Sequence, residues 1–210
     1  MIKILIADDH PVVRKGLREI IEENYDMLVA AEASNGQGVL EKALKKEFDV
    51  VVLDISMPGR SGLEVLKQLK RERPKLSVLI LSIHPEEHYA VRVLKAGASG
   101  YLTKESVPDE LIKAIRKIST GRKYVSSTLA EKLAFDLESG GEKLAHEKLS
   151  DREYEVMCLI ASGKTLKEIA EKLCLSAKTI STYRSRILEK MKMKNNAELT
   201  HYAIKNNLVD

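Results

Sequence analysis

The sequence predicts two unlike folds in series: an α/β doubly wound (βα)5 domain built on a parallel five-stranded sheet, then an all-α domain of four helices with helix-turn-helix spacing. Three observations predict this. Over residues 1–120, five short apolar runs rich in β-branched residues alternate with five amphipathic stretches of helical length. After Gly121 the strand signals stop. The remainder carries closely spaced helix-start signals, including the capping boxes Ser150-x-x-Glu153 and Thr165-x-x-Glu168. A length of 210 residues suits two modest domains.

The strands are expected at 2–7, 28–33, 50–53, 78–81 and about 101–102. Helices are expected between and after them at 11–22, 37–46, 62–71, 86–96 and 108–119. Parallel strands need crossover connections, and these pack as helices on both sheet faces. Beyond residue 120 one amphipathic helix is expected near 127–137. Ser139-Gly140-Gly141 follows, a break typical of a linker between domains. The chain thus divides into a first domain at 1–120, a linker at 121–148 and a helical domain at 149–210. Within the last, helices are expected near 151–161, 166–173, 177–192 and 197–206, the third opened by Ser176 as N-cap.

With 44% hydrophobic and 31% charged residues, the chain can bury sizeable cores. Its excess of +4, from 35 Lys+Arg against 31 Asp+Glu, is too small to name a partner. Position is more telling. Residues 1–120 hold 19 basic and 18 acidic side chains, 121–145 four of each, and 146–210 twelve and nine, so the excess sits in the last third. No apolar run approaches the roughly 18 residues a membrane helix needs. The start, Met1 to Asp9, meets two carboxylates before a signal-peptide core can form. A soluble, cytoplasmic protein without a membrane partner is expected. Cys158 and Cys174 show no CxxC or Cys/His ligand spacing and are expected to be small core residues.

In a doubly wound sheet, ligands bind at the carboxyl ends of the strands. Strand one ends in Asp8-Asp9, strand three in Asp54 and strand four in Ser82, while strand five leads to Thr103-Lys104. Any one Asp at a strand end is usually a turn residue or helix cap. Together these side chains converge, and three carboxylates with one lysine repel one another unless a cation joins them. Mg2+, which takes a few carboxylates and keeps several waters, fits such a site. Asp54 then becomes a candidate nucleophile for a phosphoryl group, with the metal and Lys104 neutralising the transferring oxygens. A Mg2+-dependent phosphohydrolase would use the same nucleophile. It would usually also need an acid two residues on, where Ser56 stands.

Asp8-Asp9, Asp54 followed by Met57-Pro58-Gly59, Ser82, Ala96-Gly97-Ala98-x-Gly100-Tyr101-Leu102 and Lys104 follow one another in an order and spacing that resemble the response-regulator receiver family over about 1–120. The resemblance implies that Asp54 is phosphorylated by a sensor histidine kinase. Asp9 and Asp54 would ligate Mg2+ with the carbonyl of Ser56, and Asp8 would act mainly through water. Lys104 would pair with the phosphoryl oxygens and Ser82 would hydrogen-bond them. Tyr101 would swing inward behind Ser82, a local charge event biasing a bistable element. Without the motif, Tyr101 reads as a half-buried strand aromatic. The resemblance also implies that phosphate lifetime depends on Ser56 and His84, and that the chain is no enzyme beyond its own phosphotransfer and autodephosphorylation. Many receivers carry proline after this lysine, with a cis bond; here Glu105 follows Lys104, a non-proline cis bond would cost about 3–4 kcal/mol, and the sequence leaves the isomer open.

In the last segment the expected helices at 166–173 and from 177 are separated only by a short break, which is helix-turn-helix spacing. Residues 178–194 carry six basic side chains and one acidic, a local +5 suited to a phosphate backbone. Helical period puts Ile180, Ile187, Leu188 and Met191 inward and Lys178, Ser181, Thr182, Ser185 and Arg186 largely opposite. The exposed N-terminal half of such a helix enters the major groove of double-stranded DNA. Ser181, Thr182 and Ser185 are the candidates for base edges; Lys178, Thr179, Arg184 and Arg186 are the candidates for phosphates. Leu199, Tyr202 and Ala203 on the last helix suit either a dimer surface or the domain's own core.

Leu149-Ser150-x-Arg152-Glu153, Lys167-Glu168-Ile169-Ala170 and Ser176-x-Lys178-Thr179-Ile180 followed by Lys190-Met191 resemble the LuxR-type helix-turn-helix over about 149–208. A receiver joined to it resembles the NarL/FixJ class of response regulators. Tyr183-Arg184-x-Arg186 and Glu198-Leu199-Thr200-His201 are similar to its GacA/UvrY branch. The class implies phosphorylation-controlled homodimerisation, sequence-specific promoter binding and action on RNA polymerase.

Overall fold

A computed structural model of the chain describes residues 1–83, 86–106, 108–126, 129–131, 144–206 and 208–209. Two compact units stand out, Met1–Ala130 and Glu131–Asp210. His84 and most of the helix expected at 127–137 lie outside the described residues.

In the first unit, strands β1 (Ile2–Ala7), β2 (Met27–Ala33), β3 (Val50–Asp54), β4 (Ser77–Ser82) and β5 (Gly100–Thr103) alternate with helices. These are α1 (Pro11–Glu22), α2 (Gly36–Lys45), α3 (Gly62–Glu72), α4 (Glu86–Lys95) and α5 (Pro108–Ser119). All pairings are parallel, in the order β2-β1-β3-β4-β5. The order reverses between β1 and β3, and sheets of this kind bind ligands at the carboxyl ends of the strands beside such a reversal. The alternation of strand side chains divides the core into two layers. Ile4, Ile6, Val50, Val52, Leu79, Leu81 and Leu102 pack with Leu17 and Ile21 of α1 and with Leu111, Ile115 and Ile118 of α5. Their neighbours Leu5, Val51, Leu53, Ile80 and Tyr101 are also buried, beneath α2, α3 and α4.

The unit runs ten residues past Thr120. The Tyr124 N–H donates to the Ser99 carbonyl at 2.8 Å, and Tyr124 bridges Gly100 in parallel register. The Ser126 hydroxyl donates to the Glu86 carboxylate at 2.6 Å and accepts the Leu129 N–H at 3.1 Å. Tyr124 packs on the core and Leu129 is buried. Only glycine permits this approach, because a Cβ on Gly100 would stand 2.9 Å from the Tyr124 carbonyl oxygen.

The second unit consists of a 3-10 turn, Ala145–Lys148, and helices α6 (Asp151–Ala161), α7 (Leu166–Lys172), α8 (Ala177–Met191) and α9 (Asn196–Lys205). Both expected capping boxes are present: Ser150 and Thr165 accept the N–H groups of Glu153 and Glu168, whose side chains reach back. Ser176 caps α8 by accepting the Thr179 N–H at 3.0 Å, and Asn195 caps α9 by accepting the Glu198 N–H at 3.0 Å. The core gathers Tyr154, Met157, Ile169, Ile180, Ile187 and Leu199.

One expectation is corrected here. Cys158 is buried, but Cys174 is exposed, because it occupies the tight turn between α7 and α8 with φ at +53°. Of the two roles open to the last helix, Leu199 and Ala203 take the core one, both being fully buried, while Tyr202 is half-buried.

Candidate functional site

Four of the expected pocket residues converge at the switch point of the sheet. Asp8 follows β1, Asp54 ends β3, Ser82 ends β4 and Lys104 follows β5. Asp8 and Asp54 are 1% and 2% exposed, and Lys104 14%. The Lys104 ammonium lies between the two carboxylates, 2.6 Å from Asp8 Oδ2 and 2.7 Å from Asp54 Oδ2, and is a well-aligned donor only to Asp54. The remaining Asp54 oxygen, Oδ1, accepts the Ser56 N–H at 3.0 Å, and Asp8 Oδ1 accepts the His10 N–H at 2.8 Å. The Lys104 N–H donates to the Ser82 carbonyl at 2.7 Å, tying the ends of β4 and β5 together. No peptide bond among the described residues is cis.

The charges are finely opposed. Burial pushes the Asp54 carboxyl above its usual range, although Lys104 and the Ser56 N–H favour its charged form. Burial pulls the Lys104 ammonium down, but Asp54 and Asp8 outweigh it and hold it above its ordinary value. One ammonium does not satisfy three carboxylates. Asp8 Oδ2 and Asp9 Oδ1 are buried atoms that receive no properly directed hydrogen bond. Ligand atoms of Asp8, Asp9, His10 and Asp54 all lie within 4.8 Å of one another. Hard oxygen donors of this kind fit a small divalent cation.

His10 belongs to this group although its sequence position gave no such signal. Its Nδ1 lies 2.8 Å from Asp9 Oδ1 and 3.3 Å from Asp8 Oδ1. Gly62 was also missed. A Cβ there would stand 2.4 Å from the Asp54 carbonyl oxygen and 2.6 Å from Ile55 Cα, so only glycine lets α3 start against the loop that aims Asp54. Tyr101 is buried, at 1% exposure, and Ser82 is buried as well.

On the second unit, Lys178, Ser181, Thr182, Ser185 and Arg186 are exposed along one side of α8 and Thr179 is half-buried. Ser176, Lys178, Thr179, Thr182, Tyr183 and Arg186 line a depression of about 360 Å³. Ile180, Ile187 and Met191 point inward, with Leu188 half-buried. Two cations counted in the local +5 already have partners. Arg184 Nε donates to Asn196 Oδ1 at 2.6 Å, and Lys190 Nζ donates to buried Glu153 at 2.6 Å.

Comparison with known proteins agrees with both halves of this geometry. The response regulator receiver domain model matches residues 4–116. The chain is a response regulator. The model for bacterial regulatory proteins of the luxR family matches residues 147–203 of this regulator. It is 37% identical to the response regulator UvrY of Escherichia coli K12 over 209 residues, covering 99% of this chain and 96% of that one. It is 35% identical to the response regulator GacA of Pseudomonas aeruginosa PAO1, covering 100% and 99%. Among solved structures it resembles RcsB of Salmonella typhimurium, with TM-score 0.69 and 28% identity over 98% of both chains. RcsB bound to promoter P1flhDC in the presence of phosphomimetic BeF3- aligns with TM-score 0.60 and 30% identity over 96% and 97%. The regulator is thus a two-component transcription regulator of NarL/FixJ type, controlled by phosphorylation, and its receiver implies a kinase partner. None of its described helices is long and apolar enough to cross a membrane.

Proposed function

We propose that Asp54 accepts the phosphoryl group of a sensor histidine kinase and that this event controls dimerisation and promoter binding through α8. The observation that carries the reading is the buried Asp8–Lys104–Asp54 cluster at the switch point of the sheet. An Asp54 carboxylate oxygen attacks phosphorus, the new O–P bond forms as the N–P bond to the kinase histidine breaks, and the electron pair returns to the imidazole. Lys104 moves its charge onto the phosphoryl oxygens, and the Ser82 hydroxyl hydrogen-bonds them. Asp9, Asp54 and the Ser56 carbonyl would hold Mg2+, with Asp8 acting through water; the ion would supply positive charge against the transferring oxygens. Water attack on the aspartyl phosphate reverses the state. Tyr101 is already buried, at 1% exposure, so no inward swing is needed to bury it.

At the other site, Lys178, Thr179, Arg184 and Arg186 would hold phosphates while Ser181, Thr182 and Ser185 face base edges. In an activated homodimer, two copies of α8 would occupy half-sites about 10–10.5 base pairs apart. The expected setting is the cytoplasm, where promoter DNA and RNA polymerase are found. The test is acetyl phosphate with Mg2+ on the full chain, comparing wild type with Asp54→Asn. Incorporation, dimerisation and retention of a duplex DNA pool should all rise in the wild type and stay flat in the variant. Incorporation that survives in Asp54→Asn would overturn the proposal.

A further inference from the structure

The DNA-facing side of α8 carries hydroxyls whose protons are already committed. Thr182 Oγ1 donates to the Lys178 carbonyl at 3.0 Å and Ser185 Oγ donates to the Ser181 carbonyl at 3.1 Å. A hydroxyl has one proton and two lone pairs. With the proton given to the helix backbone, Oγ presents only lone pairs outward, so each of these two exposed groups is an acceptor. The nearby cations Lys178 and Arg186 can only donate. The helix surface therefore has a fixed polarity of acceptors flanked by donors.

In the major groove the only hydrogen-bond donors on base edges are adenine N6 and cytosine N4; guanine N7 and O6, adenine N7 and thymine O4 all accept. We infer that Thr182 and Ser185 each read an exocyclic amino group, selecting adenine or cytosine and rejecting guanine or thymine at the strand position each faces. The inference rests on α8 being the DNA-reading helix and adds which base chemistry it reads. Rejection is the stronger half of the effect. A guanine O6 or thymine O4 opposite these oxygens meets acceptor with acceptor, and to relieve that clash the hydroxyl must break its bond to the backbone.

The full-length regulator, treated with acetyl phosphate and Mg2+, is used to select from a random duplex pool, in parallel with Thr182→Val, Thr182→Ser and Ser185→Ala. The wild type should enrich one base pair, in one orientation, at each of two positions of every half-site. Thr182→Val keeps the shape and removes the acceptor. It should lose enrichment at one of these positions and bind the wild-type consensus roughly two- to tenfold more weakly, the worth of one hydrogen bond. Thr182→Ser should restore it, and Ser185→Ala should relax the other position. An unchanged profile in Thr182→Val, or a Thr182→Ser profile no closer to the wild type than that of Thr182→Val, overturns the inference and leaves the DNA-reading function standing. A wild type that retains no duplex overturns both.

Discussion

Glu153 shows how one side chain can serve a helix start and a fold at once. Its carboxylate accepts the Ser150 N–H at 2.7 Å, completing the cap of α6, and receives Lys190 from α8 at 2.6 Å. Burial alone would raise its pKa, but Lys190 and Ser150 outweigh burial and hold the carboxyl below its ordinary range. A carboxyl with a depressed folded-state pKa contributes stability above its unfolded value, near 4.5, and loses it as pH falls through the folded value. The wild type should therefore lose unfolding free energy below about pH 5. Glu153→Gln, which keeps the cap and removes the charge, should lose less over the same range in denaturant titrations. Glu153→Ala also removes the cap and should cost about 1–2 kcal/mol at pH 7. Cys174 offers the opposite sign. Its left-handed backbone costs a side-chain-bearing residue about 1–2 kcal/mol, partly offset by the greater freedom of an unfolded glycine, so Cys174→Gly should stabilise the chain by about 0.5–1 kcal/mol in the same titrations. At this scale the sequence was uneven. Asp8, Asp9, Asp54, Ser82 and Lys104 were legible because strand ends have fixed positions in the sheet. The Arg184–Asn196 and Lys190–Glu153 pairs were not, because they join helices whose packing has no period in the sequence.

At the scale of elements, caps and apolar period sufficed for most boundaries. Ser150, Thr165 and Ser176 start their helices as expected, and α1 and α5 begin on Pro11 and Pro108 as a fixed φ favours. What escaped was close approach between elements, since a glycine in a sequence does not say what lies against it. Gly62 is the sharpest case. Gly62→Ala drives a Cβ into the backbone of Asp54 and Ile55, and neither can yield like a side chain. The substitution should cost about 1–3 kcal/mol of stability by thermal or chemical unfolding. It should also slow phosphoryl incorporation at Asp54, because relief requires moving the residue that carries the nucleophile. The turn between α7 and α8 was legible from the Ser176 cap, but its left-handed residue was not, since a cysteine stands where glycine would have announced it.

For the whole molecule, the small excess of +4 conceals a locally acidic pocket and a basic helix face on separate units. Pairing of Lys190 with Glu153 lowers the number of cations free for DNA below the count along α8. The logarithm of DNA affinity should still fall linearly with the logarithm of salt. Lys178→Ala should make that slope shallower by about one, measured by anisotropy titrations between low and physiological salt. The bridge from Tyr124 to β5 has a different consequence. β5 is a four-residue strand at the border of the sheet, and a border strand with unpaired amides and carbonyls is a template for another chain. Tyr124 occupies part of that border, so its removal should uncover the edge of β5 to pairing with another chain. An unphosphorylated fragment ending at residue 120 should self-associate with rising concentration in light scattering, whereas one ending at Ala130 should not, although both contain the entire phosphoacceptor pocket.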